Sequence, residues 1–124
     1  MILQFIKKNV FFIIFIIIIF CLKYKKKYTR ENYNGDKVKF YNFNTSWCYY
    51  SKILQPEWDK LSNYYKNNTK VKILDIKCDN KKNKSICKKF NIRKFPTLIK
   101  IKSGKQTYYN GKRTLNKFIE FIEK

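Results

Sequence analysis

The chain has no histidine, three glycines and two prolines, and its eight acidic residues face 29 basic ones, for a formal net charge of +21. Without histidine, and with Cys48, Cys78 and Cys87 lacking paired Cys-x-x-Cys spacing, the residues argue against a zinc site. No Arg-rich arm, zinc-finger spacing or glycine-rich phosphate loop accompanies the charge, so no specific nucleic-acid partner and no cofactor is expected. Setting aside Lys7, Lys8 and Lys23 leaves 26 basic and 8 acidic residues, or +18, after position 23. A charge of that size attracts nucleic acid, anionic lipid or acidic protein surfaces. Its lysines are nevertheless spread along the chain beside abundant Asn, Ile, Tyr and Phe, which is the composition an AT-rich coding sequence produces.

The most informative absence is a second cysteine beside Cys48. In Ser46-Trp47-Cys48-Tyr49-Tyr50-Ser51 a strand-like run leads into the cysteine and a helix-like run leaves it. That arrangement exposes one thiol at a helix N-terminus, where a thiolate forms most readily. A dithiol redox site needs Cys-x-x-Cys, and here the second position is Ser51.

Val10 to Leu22 is a run of 13 uncharged, almost wholly apolar residues, too apolar for a domain this small to bury. It is either the apolar region of a signal peptide or a short membrane anchor. As a helix it spans about 20 Å against a hydrocarbon core of about 30 Å, a gap that Ile2 to Ile6 would close if Lys7 and Lys8 snorkel. Cys21, Leu22, Lys23 and Tyr24 offer no small-x-small cleavage site, which favours an uncleaved anchor over residues 1–23 in contact with membrane lipid. Lys23, Lys25, Lys26, Lys27 and Arg30 outweigh Lys7 and Lys8, which by the positive-inside rule holds the rest of the chain in the cytoplasm. Thiol–disulfide chemistry argues instead for a lumenal or extracytoplasmic face.

Residues 24–35, polar and basic and ending in Asn34-Gly35, read as a tether to a domain over 36–124. In that domain Val38 to Phe43 reads as a buried strand. A helix follows from Cys48 to about Tyr65, with Ile53, Leu54, Trp58, Leu61 and Tyr65 at helical spacing and Pro56 inside it. Val71 to Ile76 reads as a second strand. Ile86, Cys87, Phe90 and Ile92 give a short helix and its exit, and Leu98, Ile99 and Ile101 a third strand. Ser103-Gly104-Lys105 turns into Thr107-Tyr108-Tyr109, and Leu115, Phe118, Ile119 and Ile122 stripe a final helix. The order is βαβαββα, with the first two strands parallel through a right-handed crossover.

These residues resemble the thioredoxin superfamily, in particular the domains of protein disulfide isomerases and their membrane-anchored relatives. The resemblance rests on Trp47-Cys48-x-x-Ser51 after a strand, Pro56 eight residues on, Ile92-Arg93-Lys94-Phe95-Pro96-Thr97, and Tyr109-Asn110-Gly111-Lys112-Arg113 before the last helix. It covers about residue 36 to the C-terminus and lacks the extra first strand and helix of full-length thioredoxins. It implies an α/β thioredoxin-like fold with a central mixed four-stranded sheet.

The same resemblance implies that Pro96 is cis and lies against Cys48. Trp47, Tyr49, Phe95, Pro96 and Thr97 then form the surface that meets substrate, and Cys48 with Ser51 forms the catalytic site. Arg113 matches an arginine that tunes thiol pKa in isomerase domains, and a plain surface role competes with that one. Asn42 stands where dithiol members often carry a buried acid. Several isomerase-like domains place a non-catalytic disulfide where Cys78 and Cys87 stand; in a reducing compartment the two would be buried thiols. Cys21 lies in the apolar segment, lipidated or inert.

Three functions follow in order of support from the motif. The first is a membrane-anchored monothiol oxidoreductase or isomerase, forming mixed disulfides with client proteins and released by a client thiol or a small thiol reductant. The second is a redox-inactive peptide-binding or scaffold module. The third is an anchored basic adaptor on acidic partners.

Overall fold

The structure is a computed structural model that describes residues 1–32 and 37–124. The chain divides into two compact units, Met1–Gly35 and Asp36–Lys124. In the first, Ile2–Asn32 forms one helix, α1. Residues 24–32 therefore continue the helix instead of forming the irregular tether expected of them, because no proline or glycine interrupts the chain before Gly35. The expected Asn34-Gly35 end of the tether and the domain's first residue, Asp36, lie outside the described residues. The expectation of a transmembrane helix is also not met. Among the described residues no helix is long and apolar enough to cross a membrane. The almost wholly apolar run, Val10 to Leu22, has only 13 residues, about 20 Å of helix. Val10 to Phe20 are exposed along α1.

In the second unit, Val38–Asn44 (β1) carries Val38 and Phe40 toward one face and Tyr41 and Phe43 toward the other, as the two-residue period of a strand requires. Buried on both faces, it is an inner strand of a sheet ordered β2-β1-β3-β4. Val71–Lys77 (β2) runs parallel to it, Val38 opposite Val71. Thr97–Lys102 (β3) runs antiparallel on its other side, and Lys105–Tyr108 (β4) closes the edge. The β3–β4 turn has positive φ at both Ser103 (50°) and Gly104 (74°), as a two-residue hairpin turn matching strand twist requires.

Helix α2 (Tyr49–Tyr64) packs Leu54, Trp58 and Leu61 onto one face of the sheet, joined by Phe118 and Ile122 of α4 (Leu115–Glu123). Phe40 lies 5.0 Å from Trp58 and 5.8 Å from Phe118, ring centre to ring centre. Ile53 departs from the expected apolar stripe and is exposed, since the buried stripe follows Leu54, Trp58 and Leu61. On the opposite face Tyr41, Phe43, Cys87 and Ile99 form a second core, with Phe90 and Ile92 packed beside it. That side is covered by α3 (Lys84–Lys89), entered through a 3-10 turn at Lys81–Asn83.

Two polar contacts fix α4. Glu57, the residue after Pro56 in α2, accepts the Leu115 backbone N–H at 2.8 Å, and so supplies the cap that Thr114 does not. At the other end the buried Lys100 donates to the Phe121 carbonyl at 2.6 Å and lies 4.3 Å from the centre of its ring. The fold is thus the mixed four-stranded α/β arrangement, with Cys48 at the end of α2 nearest the loop that follows β1.

Candidate active site

Strand β1 ends at Asn44, and the next residues must leave the sheet and start α2. Cys48 occupies the cap position, extended at φ −76° and ψ 123°, with no side-chain capping bond. Its carbonyl already accepts the Lys52 N–H at 3.1 Å, so its sulfur sits where the first free N–H groups of the helix point. Two contacts hold the approach loop from the end of β2. The Cys78 N–H donates to the Asn44 carbonyl at 2.8 Å, and Asp79 accepts the Ser46 N–H at 3.0 Å. That bond is the main reason the Asp79 carboxyl lies below its ordinary pKa.

The Phe95–Pro96 bond is cis. The half-buried Cys48 thiol donates to the Phe95 carbonyl at 3.6 Å, which brings the cysteine and the residue before the proline together. Trp47 is exposed and meets the Phe95 ring edge to face, with centres 6.1 Å apart. Tyr49 and Tyr50 are exposed beside it, 5.7 Å apart. Thr97 donates its hydroxyl to the Lys94 carbonyl at 2.6 Å, closing the turn that contains the proline.

The Cys48 pKa is lowered. The Ser51 backbone N–H is the largest cause and the Ser51 hydroxyl the next; burial opposes them, and the Tyr50 N–H and the Arg113 charge add to the lowering. The Ser51 hydroxyl is buried and has no hydrogen-bond partner beside the neutral thiol, whose own proton goes to Phe95. Ionisation frees the sulfur to accept from Ser51, so the serine favours the thiolate by bonding to the charged form alone. Arg113 lies in the loop after β4, two residues beyond Gly111, where the chain has no room for a side chain. A Cβ there would meet the Tyr109 hydroxyl at 2.7 Å.

Asn42 is fully buried and donates to Asp75 at 3.2 Å; the two stand opposite each other in the β1–β2 register. Asp75 also accepts from Asn44 and from Gln55, the latter at 3.5 Å, and lies 3.7 Å from the Lys77 ammonium. A carboxylate is therefore present near this position, reached from the neighbouring strand and already engaged by several donors. Between Lys77, Asn44 and Ser51 lies a cavity of about 210 Å³, bordered by the buried, unpartnered hydroxyls of Thr45 and Ser51. It is large enough to admit water to them.

Cys78 and Cys87 are joined by a disulfide that ties the end of β2 to α3, and Cys21 and Cys48 are free. Among the described residues no cluster of three or more His, Cys, Asp or Glu is placed to hold a metal ion. The structure thus gathers Trp47, Cys48, Ser51, Phe95 and Pro96, with Tyr49 beside them and Arg113 acting through its charge. Sequence reasoning missed Asp79, Asp75 and Glu57. A parallel register of β1 against β2 would have pointed to Asp75 opposite Asn42.

A family model described as Thioredoxin matches residues 21–124. The chain is similar to protein disulfide-isomerase 1 of Dictyostelium discoideum, 40% identical over 91 residues that make up 70% of this chain and 24% of that protein. It is also similar to protein disulfide-isomerase 1 of Caenorhabditis elegans, 30% identical over 95 residues, 76% of this chain and 19% of that protein. The chain thus spans about a fifth to a quarter of the length of these curated relatives. Among solved structures, human ERp44 matches with a TM-score of 0.62 and 27% identity, over 73% of this chain and 28% of that one. A structure described as that of a malarial protein matches with a TM-score of 0.58 and 27% identity, over 70% of this chain and 94% of that one.

Proposed function

The chain belongs to the thioredoxin family, and from that premise we propose that it carries out thiol–disulfide exchange on client proteins through Cys48 alone. The Cys48 thiolate attacks one sulfur of a client disulfide and bonds to it, and the other client sulfur leaves as a thiolate. The electron pair of the broken bond departs with that sulfur, so no outside oxidant is needed. Ser51 carries no sulfur and cannot resolve the adduct. A second thiol, from the client or a small molecule, attacks the client sulfur and restores Cys48. The net result is a reshuffled client when the second thiol is the client's own. When it is a small molecule, the client is left in a mixed disulfide with it, and a second small thiol must attack that bond to release the client reduced and the small molecule as its disulfide.

The observation that carries this reading is the Cys48 thiol held against the carbonyl before the cis proline, with Ser51 placed to favour its ionised form. The likeness to proteins named disulfide isomerases supports the same chemistry. A second reading, a peptide-binding module without redox activity, draws support from Ser51 and Asn42, both of which replace groups of a dithiol site. The exposed apolar run of α1 supports attachment of residues 1–23 to a lipid bilayer. The Cys78–Cys87 bond supports a lumenal or extracytoplasmic face, where disulfides persist.

Incubation of the full chain with a client carrying scrambled disulfides tests the reading. Recovery of client activity should require Cys48 and fall to background in Cys48→Ala. Full activity in that variant would overturn exchange through Cys48. A wild-type protein that binds the client, yields no thiol-sensitive adduct and leaves its disulfides unchanged would establish the binding module instead.

A further inference from the structure

Beside the cis proline, a groove of about 600 Å³ runs between the turn before β3 and the loop after β4. Phe95, Pro96, Thr97 and Tyr108 line it together with Arg93, Lys94 and Arg113. No aspartate or glutamate lines it. Arg93, Lys94 and Arg113 are all exposed, and among the described residues none of them forms an ion pair. Among the described residues the ion pairs use Lys60, Lys77 and Lys117, and their carboxylates, Glu57, Asp75 and Glu120, do not line the groove. Arg93 is oriented by donating to Asn91 at 3.1 Å. Phe95, whose carbonyl accepts the Cys48 thiol at 3.6 Å, lines the groove, and the Arg113 charge reaches that thiol, so the groove adjoins the reacting sulfur.

We propose that this groove selects client segments with acidic residues flanking the reacting cysteine. The proposal rests on exchange through Cys48 and adds the class of client. A peptide presenting its sulfur to Cys48 must pass the aromatic floor of Phe95 and Tyr108, and its neighbouring side chains then fall among three unpaired cations. Guanidinium groups suit this task because their planar fork takes a carboxylate through two bonds. Attraction of this kind raises the rate of encounter more than it lengthens the complex, and salt weakens it. The charge of the whole chain attracts acidic clients from any direction. Only the groove cations tie that attraction to the reacting sulfur.

Peptides of one sequence test this, with the residues on either side of a single cysteine set as Glu, Gln or Lys and that cysteine activated as its 2-pyridyl disulfide. Attack by the Cys48 thiolate joins its sulfur to the peptide sulfur and expels pyridine-2-thiolate, which takes a proton from solvent and is followed as the coloured thione. All chains in this test carry Cys21→Ser, which leaves Cys48 as the free thiol, and rates are divided by the rate with neutral 2,2′-dithiodipyridine, which then reports the Cys48 thiolate alone. In the full chain at low salt the Glu peptide should react about 10-fold faster than the Gln peptide, the lower end of electrostatic steering. The ratio should shrink toward one in 1 M salt.

The combined Arg93→Gln, Lys94→Gln, Arg113→Gln variant should lose the preference. A variant with Lys66→Gln, Lys72→Gln and Lys105→Gln, an equal charge change at the opposite end of the sheet, should keep it. Equal rates for the Glu and Gln peptides in the chain with its groove cations intact would overturn the proposal while leaving exchange through Cys48 intact. So would a preference that both triple variants lose alike, since net charge would then be the cause. No reaction with dithiodipyridine would instead remove the exchange activity on which the proposal rests.

Discussion

The thiol of Cys48 donates to the carbonyl of Phe95 at 3.6 Å, across 47 residues of chain. While that bond lasts, the sulfur is neutral and turned toward the cis proline. When the proton leaves, the carbonyl becomes a poor neighbour for the anion, and the Ser51 N–H and hydroxyl become the stabilising ones. The site therefore has a resting and a reactive arrangement of the same few groups, and Ser51 distinguishes them.

Replacing Ser51→Ala should raise the Cys48 pKa toward the ordinary value of about 8.5. In chains carrying Cys21→Ser, the midpoint of the Cys48 alkylation rate against pH should move up, while the rate at high pH, where all the sulfur is ionised, stays nearly unchanged. The sign for stability follows from the lowered folded value. Ionisation of Cys48 stabilises the folded chain fully only above the unfolded pKa, and that contribution is lost as pH falls through the folded one. The gap in melting temperature between wild type and Ser51→Ala should widen as pH rises through that window. A gap independent of pH would show that Ser51 does not act through the thiolate.

The Cys78–Cys87 bond closes a loop with a sequence separation of 9. Removing it in the paired Cys78→Ala, Cys87→Ala variant should cost about 2–3 kcal/mol of stability from loop entropy. Urea unfolding with and without reductant measures this. Reduced wild type and the paired variant should show the same midpoint, and the paired variant should not respond to reductant.

Glu57 holds the first turn of α4 and also pairs with Lys60 at 2.6 Å. The Lys60 contact and then the Leu115 N–H lower its pKa, against a smaller effect of burial. Its contribution is therefore present above the unfolded value of about 4.3 and lost as pH falls through the folded one. Glu57→Gln should lower the melting temperature at neutral pH by more than Lys60→Gln does, because the α4 contact weakens as well as the ion pair. The difference between wild type and Glu57→Gln should close in acid.

Much of this architecture was legible locally. The strand and helix order followed from apolar periodicity, and the β3–β4 turn from Ser103-Gly104. The cis bond at Pro96 and the disulfide were implied by the resemblance, not by spacing. What stayed hidden was polar and long-range. Glu57 meets Leu115 across 58 residues and Asp79 meets Ser46 across 33, and both pairings exist only once the sheet register brings the elements together. Ile53 shows the complementary failure: its apolar character fitted a helical stripe whose centre lies a residue further on. The continuation of α1 through 24–32 was missed because a high charge density reads as a tether, although Lys, Arg and Glu are good helix formers.

Asn42 and Asp75 make a sharper forecast about the missing thiol. Ser51→Cys would restore a second sulfur at a site only 2% exposed. A buried thiol resists ionisation, and Asn42, at the place where the resemblance puts the buried acid of dithiol members, is an amide. Asp75, the nearby carboxylate, is already bound by Asn42, Asn44 and Lys77. A mixed disulfide preformed on Cys48 should therefore decay faster in Ser51→Cys than in wild type, but only at alkaline pH. Adding Asn42→Asp places a second carboxyl beside Asp75, and like charges at that distance raise the pKa of the pair. A carboxyl titrating nearer neutrality is a better base for the introduced thiol, so in the double variant the decay should accelerate at lower pH. Release of a labelled peptide from Cys48, followed from pH 5 to 9, measures this. Superimposable pH profiles for the single and double variants would show that position 42 does not govern proton removal at position 51.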